Sequence, residues 1–335
     1  MSPLRSSPTP TVPRLARIQE PVRERLDRVV EEIRRIVLSD FEVQAEVNDY
    51  LLKMRGKLFR PTLLLLTSEV GGRPHEDAPA LAAVVELVHL ATLVHDDAVD
   101  HSVLRRGLPT VNHLWNHQVA IITGDYLYSR SVMELARVGR LDAVQALARA
   151  SNEMSVGELR QLISYDALDF SETEYERLIS CKTASLMSAA CDIGGLMGVD
   201  AYRDAFRRFG QALGMAFQIA DDLLDYEGSA EITGKPVGHD LRERKVTLPL
   251  IEAMRRVGDG ERERVRQFFT KLDPTDVEIE EIVGLVRCAG GLEYARERAG
   301  HFAGQAESAL AEVPEEGEAM DALRAAVVYA VERQR

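Results

Sequence analysis

The chain has 335 residues, of which 45% are hydrophobic and 6% aromatic, and its formal net charge is -13. That length and apolar content allow a sizeable core and exclude wholesale disorder, while the wealth of Ala, Leu, Val, Glu and Arg favours helices over sheets. Acidity without a dense basic run excludes nucleic-acid binding by general electrostatics and reads as a solubility feature.

Residues 1–15 read as a disordered lead. "MSPLRSSPTPTVP" is rich in Pro and Ser and lacks the apolar stretch of a secretory signal. The folded domain is expected over 16–335. Helical periodicity runs from about Val22 to Leu38 and again from Glu42 to Met54. After "RGKLFRP" a helix is predicted from Pro61 to Val70, with Pro in its first turn. A long apolar helix follows from Pro79 to Val103. Its apolar stretch, Ala78 to Val94, is interrupted by Glu86 and His89 and ends at Asp96, which suits a buried helix rather than a transmembrane segment. "RRGLPT" ends it through Gly107 and Pro109.

Further helices are predicted at 115–138, 141–164, 172–198 and 201–226. The segment 228–240, "GSAEITGKPVGHD", is the longest internal loop, and helices resume near Thr247, broken by "VGDGE", "LDPTD" and "AGG". No hairpin signal, alternating strand or linker is visible. The expected fold class is therefore a single all-α domain, with a central helical layer wrapped by outer helices. Three cysteines without CxxC spacing, Cys181, Cys191 and Cys288, argue against disulfides or a zinc site and for a reducing, cytoplasmic setting. Cys181 and Cys191 are expected to pack as small core residues.

The apolar helix finishes in "DDAVD", Asp96, Asp97 and Asp100. At 100° per residue these stand at roughly 0°, 100° and 40° around the axis, on one face. The pattern recurs as "DDLLD", Asp221, Asp222 and Asp225, with Gln218 projecting between the first two. Carboxylates so crowded repel, and in apolar surroundings they either take up protons or surround a cation. Hard divalent ions suit such oxygen donors, and magnesium commonly completes its shell with water and substrate phosphates. A single DDxxD is a common solvated helix end. Two copies, each closing an apolar helix, point to a diphosphate held between two ion-binding clusters.

Cationic residues accompany the clusters: Lys57 and Arg60 in "GKLFRP", Arg105 and Arg106 in "RRG", Lys182 with Thr183 in "CKTAS", and Lys235 and Lys245 in "GKPVGHDLRERKVTLP". Arg suits bidentate phosphate contacts and Lys acts as a point charge. His89 lies two turns before Asp96 on the same face, which favours ligand contact over a plain core histidine.

Together "GKLFRP", "ELVHLATLVHDDAVDHSVLRRGLPT", "GDYL", "KTASL", "FQIADDLLDY", "TGKPVGHDL" and "KVTLP" resemble the trans-type (E) polyprenyl diphosphate synthases of the isoprenyl diphosphate synthase family, from about Leu51 to the C-terminus. The resemblance implies the helical bundle of that family with a central apolar cavity, usually as a homodimer. It implies that Lys57, Arg60, His89 and Arg106 hold isopentenyl diphosphate. Arg105, Lys182 and Lys235 would hold the allylic diphosphate, with magnesium (three ions once the diphosphate is bound) on Asp96, Asp97, Asp100, Asp221, Asp222 and Asp225. Thr183, Gln218 and Lys245 match positions near the allylic end. One departure is Arg244, because the family often has Gly before this Lys.

The implied reaction ionises the allylic C–O bond, adds the isopentenyl double bond to the cation and releases a proton to the departing diphosphate, so no side-chain base is required. The cavity must exclude water. In related enzymes bulky aromatics one turn before the first Asp accompany short products. Ala91 and Thr92 are small and Val88 is medium-sized, so a long product of about six to ten isoprene units is expected. The alternatives are a short-chain (farnesyl or geranylgeranyl) synthase and a class I terpene cyclase. The second "DDLLD" and the set Lys57, Arg60 and Arg106 argue against the cyclase.

Overall fold

The structure, a computed structural model, describes residues 13–54, 56–163, 169–227, 238–271 and 273–332. The chain opens with α1 (Leu15–Gln19) and one tight turn, then α2 (Arg23–Ile36), α3 (Glu42–Lys53), α4 (Phe59–Glu69) and α5 (Ala78–Val99). Helix α2 buries Leu26, Val29, Ile33 and Ile36, the stripe its periodicity dictates. Helical structure thus begins at Leu15, and Ile18 is already buried in the core. Helix α4 starts two residues before Pro61, because Leu58 takes a left-handed conformation (φ 55°) at its N-cap.

Helix α5 stops at Val99 rather than running to Val103. Asp100 caps it and His101 turns left-handed (φ 52°). The chain then makes a short antiparallel hairpin of β1 (Leu104–Arg105) and β2 (Leu108–Pro109), where the sequence suggested no hairpin. Both residues of its tight turn have positive φ, 53° at Arg106 and 76° at Gly107. Two-residue hairpin turns of this hand normally announce themselves as Asn-Gly or Asp-Gly, and "RG" carries only half of that signal.

Next come the turn α6 (Val111–Leu114), α7 (His117–Val138) and α8 (Leu141–Ile163). The Asn116 side chain caps α7 by accepting from the Val119 N–H at 2.8 Å. The segment predicted as one helix over 172–198 is α9 (Glu172–Ile179), a π-turn (Ser180–Ala184) and α10 (Ser185–Leu196). Helix α11 (Arg203–Glu227) follows. Residues 228–237 lie outside the described residues, and with them Lys235. After them come α12 (His239–Arg242), α13 (Leu248–Arg256), α14 (Asp259–Thr270), α15 (Asp276–Cys288), α16 (Gly291–Ala311) and α17 (Glu318–Glu332).

Helix α5 is long and apolar enough to cross a membrane by length and composition, yet it is mostly buried in the protein, packed by α2, α4 and α7. The core forms two apolar clusters. One gathers α2, α4, α5 and α10. The other gathers α9 and α13–α16. Helix α11 contributes to both, with Phe209 and Leu213 in the first and Ile219 and Leu223 in the second. Cys191 packs in the first cluster, whereas Cys181 is only half-buried and Cys288 is exposed.

Candidate active site

The first acidic cluster closes α5 and faces the π-turn. Asp96 is half-buried, Asp97 is 5% exposed and Asp100 is exposed. The Lys182 ammonium stands 3.7 Å from Asp96, 2.5 Å from Glu158 and 3.2 Å from the Gln161 carbonyl. Burial pushes the Asp96 carboxyl up to about 6, Glu158 and Asp100 add to this, and Lys182 and Arg105 oppose it. Asp97 differs from its neighbours. Both its oxygens accept from Arg105 Nε at 2.8 Å, and Arg105 Nη2 is also 2.8 Å from Oδ1.

The second cluster closes α11. Asp222 is as buried as Asp97. Its Oδ2 accepts from the Tyr175 hydroxyl at 2.6 Å and its Oδ1 from the Gln218 amide at 2.8 Å. The Gln218 carbonyl in turn accepts from Thr183 at 2.8 Å. Burial and Asp240 push the Asp222 carboxyl upward, against the pull of its two donors. The Asp225 side chain accepts from the Asp240 N–H at 3.0 Å. Burial, then Asp225, raise the Asp240 carboxyl to about 6. Lys245 pairs with Glu243 at 2.7 Å. Burial works against its charge, but Glu243, Asp240 and Asp100 outweigh it and raise its pKa. Lys245 therefore feels Asp100 of the first cluster as well as Asp240, which is bonded to Asp225 of the second, and the π-turn touches both clusters, through Lys182 at Asp96 and through Thr183 at Gln218.

Two close approaches hold this arrangement. A Cβ on Gly214 of α11 would lie 2.5 Å from the Ala184 Cα, and one on Gly157 of α8 would lie 2.8 Å from the Cys181 Cβ. Only glycine lets both helices press against the π-turn that carries Lys182 and Thr183.

On the other side of Arg105 lies a cavity of about 50 Å³ lined by Gly56, Glu86, His89, Asp97, Arg105 and Arg106 among others. Arg106 donates to the Met54 carbonyl at 3.2 Å, and Gly56 leaves room for its guanidinium. Arg60 is half-exposed by area but its Nε is enclosed and has no hydrogen-bond partner. Burial lowers its pKa to about 10, Glu86 resists this and Arg106 adds to it. His89 is held neutral, well below its usual range, by burial and by Arg60, Arg106 and Arg105. Glu86 is raised by burial, and Arg60 and Arg106 pull it back. Lys57 stands exposed, its carbonyl accepting from Gln19 at 2.8 Å. The basic side chains here outnumber the two acidic ones, Glu86 and Asp97, and the latter is already paired with Arg105, so the cavity suits an anion. The two carboxylate clusters suit a cation.

Among the described residues no three His, Cys, Asp or Glu side chains come close enough to cage a metal by themselves. The donors fit an ion that takes one or two carboxylates and fills its shell from water and phosphate, the habit of magnesium. Burial is the main reason the Asp96 and Asp240 carboxyls are driven up to about 6, and an ion beside them would favour their charged form. Asp97 and Asp222 are the buried members of their clusters, each with both oxygens accepting from protein donors.

A family profile described as polyprenyl synthetase matches residues 42–286. The chain belongs to that family. It is 35% identical over 281 residues to an all-trans-nonaprenyl-diphosphate synthase (geranyl-diphosphate specific) of Rhodobacter capsulatus, covering 83% of this chain and 86% of that protein. A polyprenyl synthase from Caulobacter crescentus, crystallised with calcium and isoprenyl diphosphate, superposes with a TM-score of 0.91 at 33% identity, covering 98% of this chain and all of that one. A decaprenyl diphosphate synthase from Rhodobacter capsulatus superposes with a TM-score of 0.89 at 37% identity, covering 96% of this chain and all of that one. The protein is a trans-polyprenyl diphosphate synthase, a prenyltransferase.

In this synthase Asp96 and Lys182 meet directly, as do Thr183 and Gln218, while His89, Arg105 and Arg106 line one cavity. Val88 and Ala91 are buried on α5. Thr92 is half-buried, its hydroxyl donating to the His89 carbonyl at 2.7 Å. The sequence reading missed Glu86, Glu158, Gln161, Tyr175 and Asp240. Asp240 stood inside a quoted motif, "TGKPVGHDL", and Glu86 lay one turn before His89. Glu158 and Gln161 share a helical face three residues apart, a spacing that says nothing until α8 is placed against Lys182.

Proposed function

We propose that this synthase extends an allylic diphosphate with isopentenyl diphosphate, uses magnesium and releases a long all-trans product. The observation that carries this reading is the separation of charge. A cavity lined by His89, Arg105 and Arg106, with Arg60 close enough to act on His89, meets the first carboxylate cluster at the Arg105–Asp97 pair, and the second cluster is linked to that region through the π-turn. Lys57, Arg60, His89 and Arg106 hold the isopentenyl diphosphate by charge and by the imidazole N–H. Lys182, Arg105, Lys235 and Lys245 hold the allylic diphosphate, and Asp96, Asp97, Asp100, Asp221, Asp222 and Asp225 would carry the ions. Magnesium bound there supplies charge neutralisation for the leaving diphosphate. The Glu158 and Gln161 contacts aim Lys182 at that leaving group.

Val88, Ala91 and Thr92 line the apolar path of the growing chain. A small residue at 91 supports a long product, and Ala91→Phe is expected to shorten it. The exposed apolar residues of α7, Ile122 (62% exposed) and Met133 (61%) with Ile121 and Val132 next to them, support a homodimer through that helix. Light scattering on Ile122→Glu/Met133→Glu tests this, with a monomer expected. The central test is chain-length analysis after incubation with isopentenyl diphosphate, farnesyl diphosphate and magnesium. Elongated polyprenyl diphosphate is expected, and its absence overturns the reading.

A further inference from the structure

We propose that Tyr175 is a positioning residue for prenyl transfer. Through Asp222 it holds the Gln218 amide, and with it the Thr183 hydroxyl, in one orientation at the allylic end of the site. This rests on the function proposed above and adds a residue that neither the acidic clusters nor the cationic set includes.

The Tyr175 ring is almost wholly buried and its hydroxyl points at Asp222 Oδ2, 2.6 Å away. The other oxygen of Asp222 accepts from Gln218 Nε2 at 2.8 Å. Each Asp222 oxygen is met by one donor, the phenol on Oδ2 and the amide on Oδ1, so the end of the amide that meets Asp222 is fixed. The nitrogen faces Asp222, and the carbonyl is left for the Thr183 hydroxyl at 2.8 Å. The chain Tyr175–Asp222–Gln218–Thr183 therefore has one sense. With only 5% of Asp222 exposed, little water is available to replace the phenol. Without that donor the carboxylate is free to turn, and the sense of the amide is lost with it.

The backbone is shaped for this chain. On an uninterrupted α-helix Tyr175 and Thr183, eight residues apart, would diverge by roughly 80°. The π-turn at Ser180–Ala184 absorbs one residue. That brings the two side chains to within roughly 20° of one another. Both then reach α11, where Gln218 and Asp222 lie one turn apart on a single face. Gly214, pressed against Ala184, sets the helix spacing at which these bonds close.

The test compares Tyr175→Phe, Gln218→Ala, Thr183→Val and the doubles Tyr175→Phe/Gln218→Ala and Tyr175→Phe/Thr183→Val. For each, kcat, KM for both substrates and Tm are measured. Tyr175→Phe keeps the ring and its packing. It is expected to lower kcat by about 10- to 100-fold, the loss of one charge-assisted hydrogen bond, with KM for isopentenyl diphosphate within about twofold of the parent. Each double is expected to lose no more kcat than its more damaged single, because the partners act as one unit. A Tyr175→Phe enzyme within about twofold of the parent kcat overturns the proposal. So do multiplicative losses in both doubles, which would mark Tyr175 as part of the packing alone. If the unmodified chain transfers no prenyl group, the function reading itself falls. An active parent with an indifferent Tyr175→Phe overturns this inference only.

Discussion

Arg244 stands where the family often has Gly, and its backbone shows what that Gly is for. The turn α12 ends in a Schellman arrangement. The Arg244 N–H donates to the Leu241 carbonyl at 3.1 Å and the Lys245 N–H to the Asp240 carbonyl at 2.8 Å, with Arg244 itself left-handed at φ 55°. A side chain in that conformation costs about 1–2 kcal/mol. Arg244 recovers part of this by donating from its guanidinium to the Lys271 carbonyl, an exposed bond worth about 0.5 kcal/mol. Arg244→Gly removes the strain, loses that bond and adds about 0.5–1 kcal/mol of unfolded-chain entropy, so its stability should stay within about 1 kcal/mol of the parent. Arg244→Val keeps the conformation, loses the bond and adds β-branched crowding, and should fall about 2 kcal/mol below the Gly variant. Thermal melts should therefore rank Gly and Arg above Val, with a gap of about 3 °C. Because the same turn anchors Lys245 to Asp240, KM for the allylic diphosphate should rise in the Val variant and stay put in the Gly variant. A Val variant melting with the Gly variant would refute the backbone argument.

Asp97→Asn should cost about 1.5–3 kcal/mol in urea unfolding, since it discharges a buried acceptor of Arg105. Asp100→Asn, at an exposed cap, should leave stability within about 0.5 kcal/mol while activity falls. Gly214→Val should lose about 1–3 kcal/mol by overpacking and lower kcat as well, because its Cβ would sit 2.5 Å from the Ala184 Cα. His89→Ala should raise KM for isopentenyl diphosphate but not for the allylic substrate, as initial-rate kinetics would report. Chelation should abolish activity and added magnesium should restore it, with the helical circular dichroism signal unchanged.

The two acidic clusters were legible because helical spacing alone puts their carboxylates on one face, and the long helices because their apolar stripes are periodic. Pairings across elements were not. Nothing local links Tyr175 to Asp222, forty-seven positions away, or Glu158 to Lys182. The two arise only when α8, α9 and α11 pack. The division of labour within each DDxxD was equally hidden. Asp97 and Asp222 look like their neighbours in the sequence, and what sets them apart, burial and the donors Arg105, Tyr175 and Gln218, arises only in the fold. The hairpin escaped because Arg106 adopts a positive φ with no glycine of its own.

The first acidic cluster hangs from the apolar cluster around α4, α5 and α10, and the second from the one that gathers α9 and α13–α16, with α11 common to both. The catalytic constellation therefore exists only while both halves are folded and docked. Hydrogen exchange should find the α11 amides near Asp222 opening together with those of α9, α13 and α15, the helices that their apolar cluster gathers. An enzyme arranged this way loses its chemistry at the first sub-global opening of either half, well before its helices melt. Inactivation by heat or denaturant should precede the loss of helical signal.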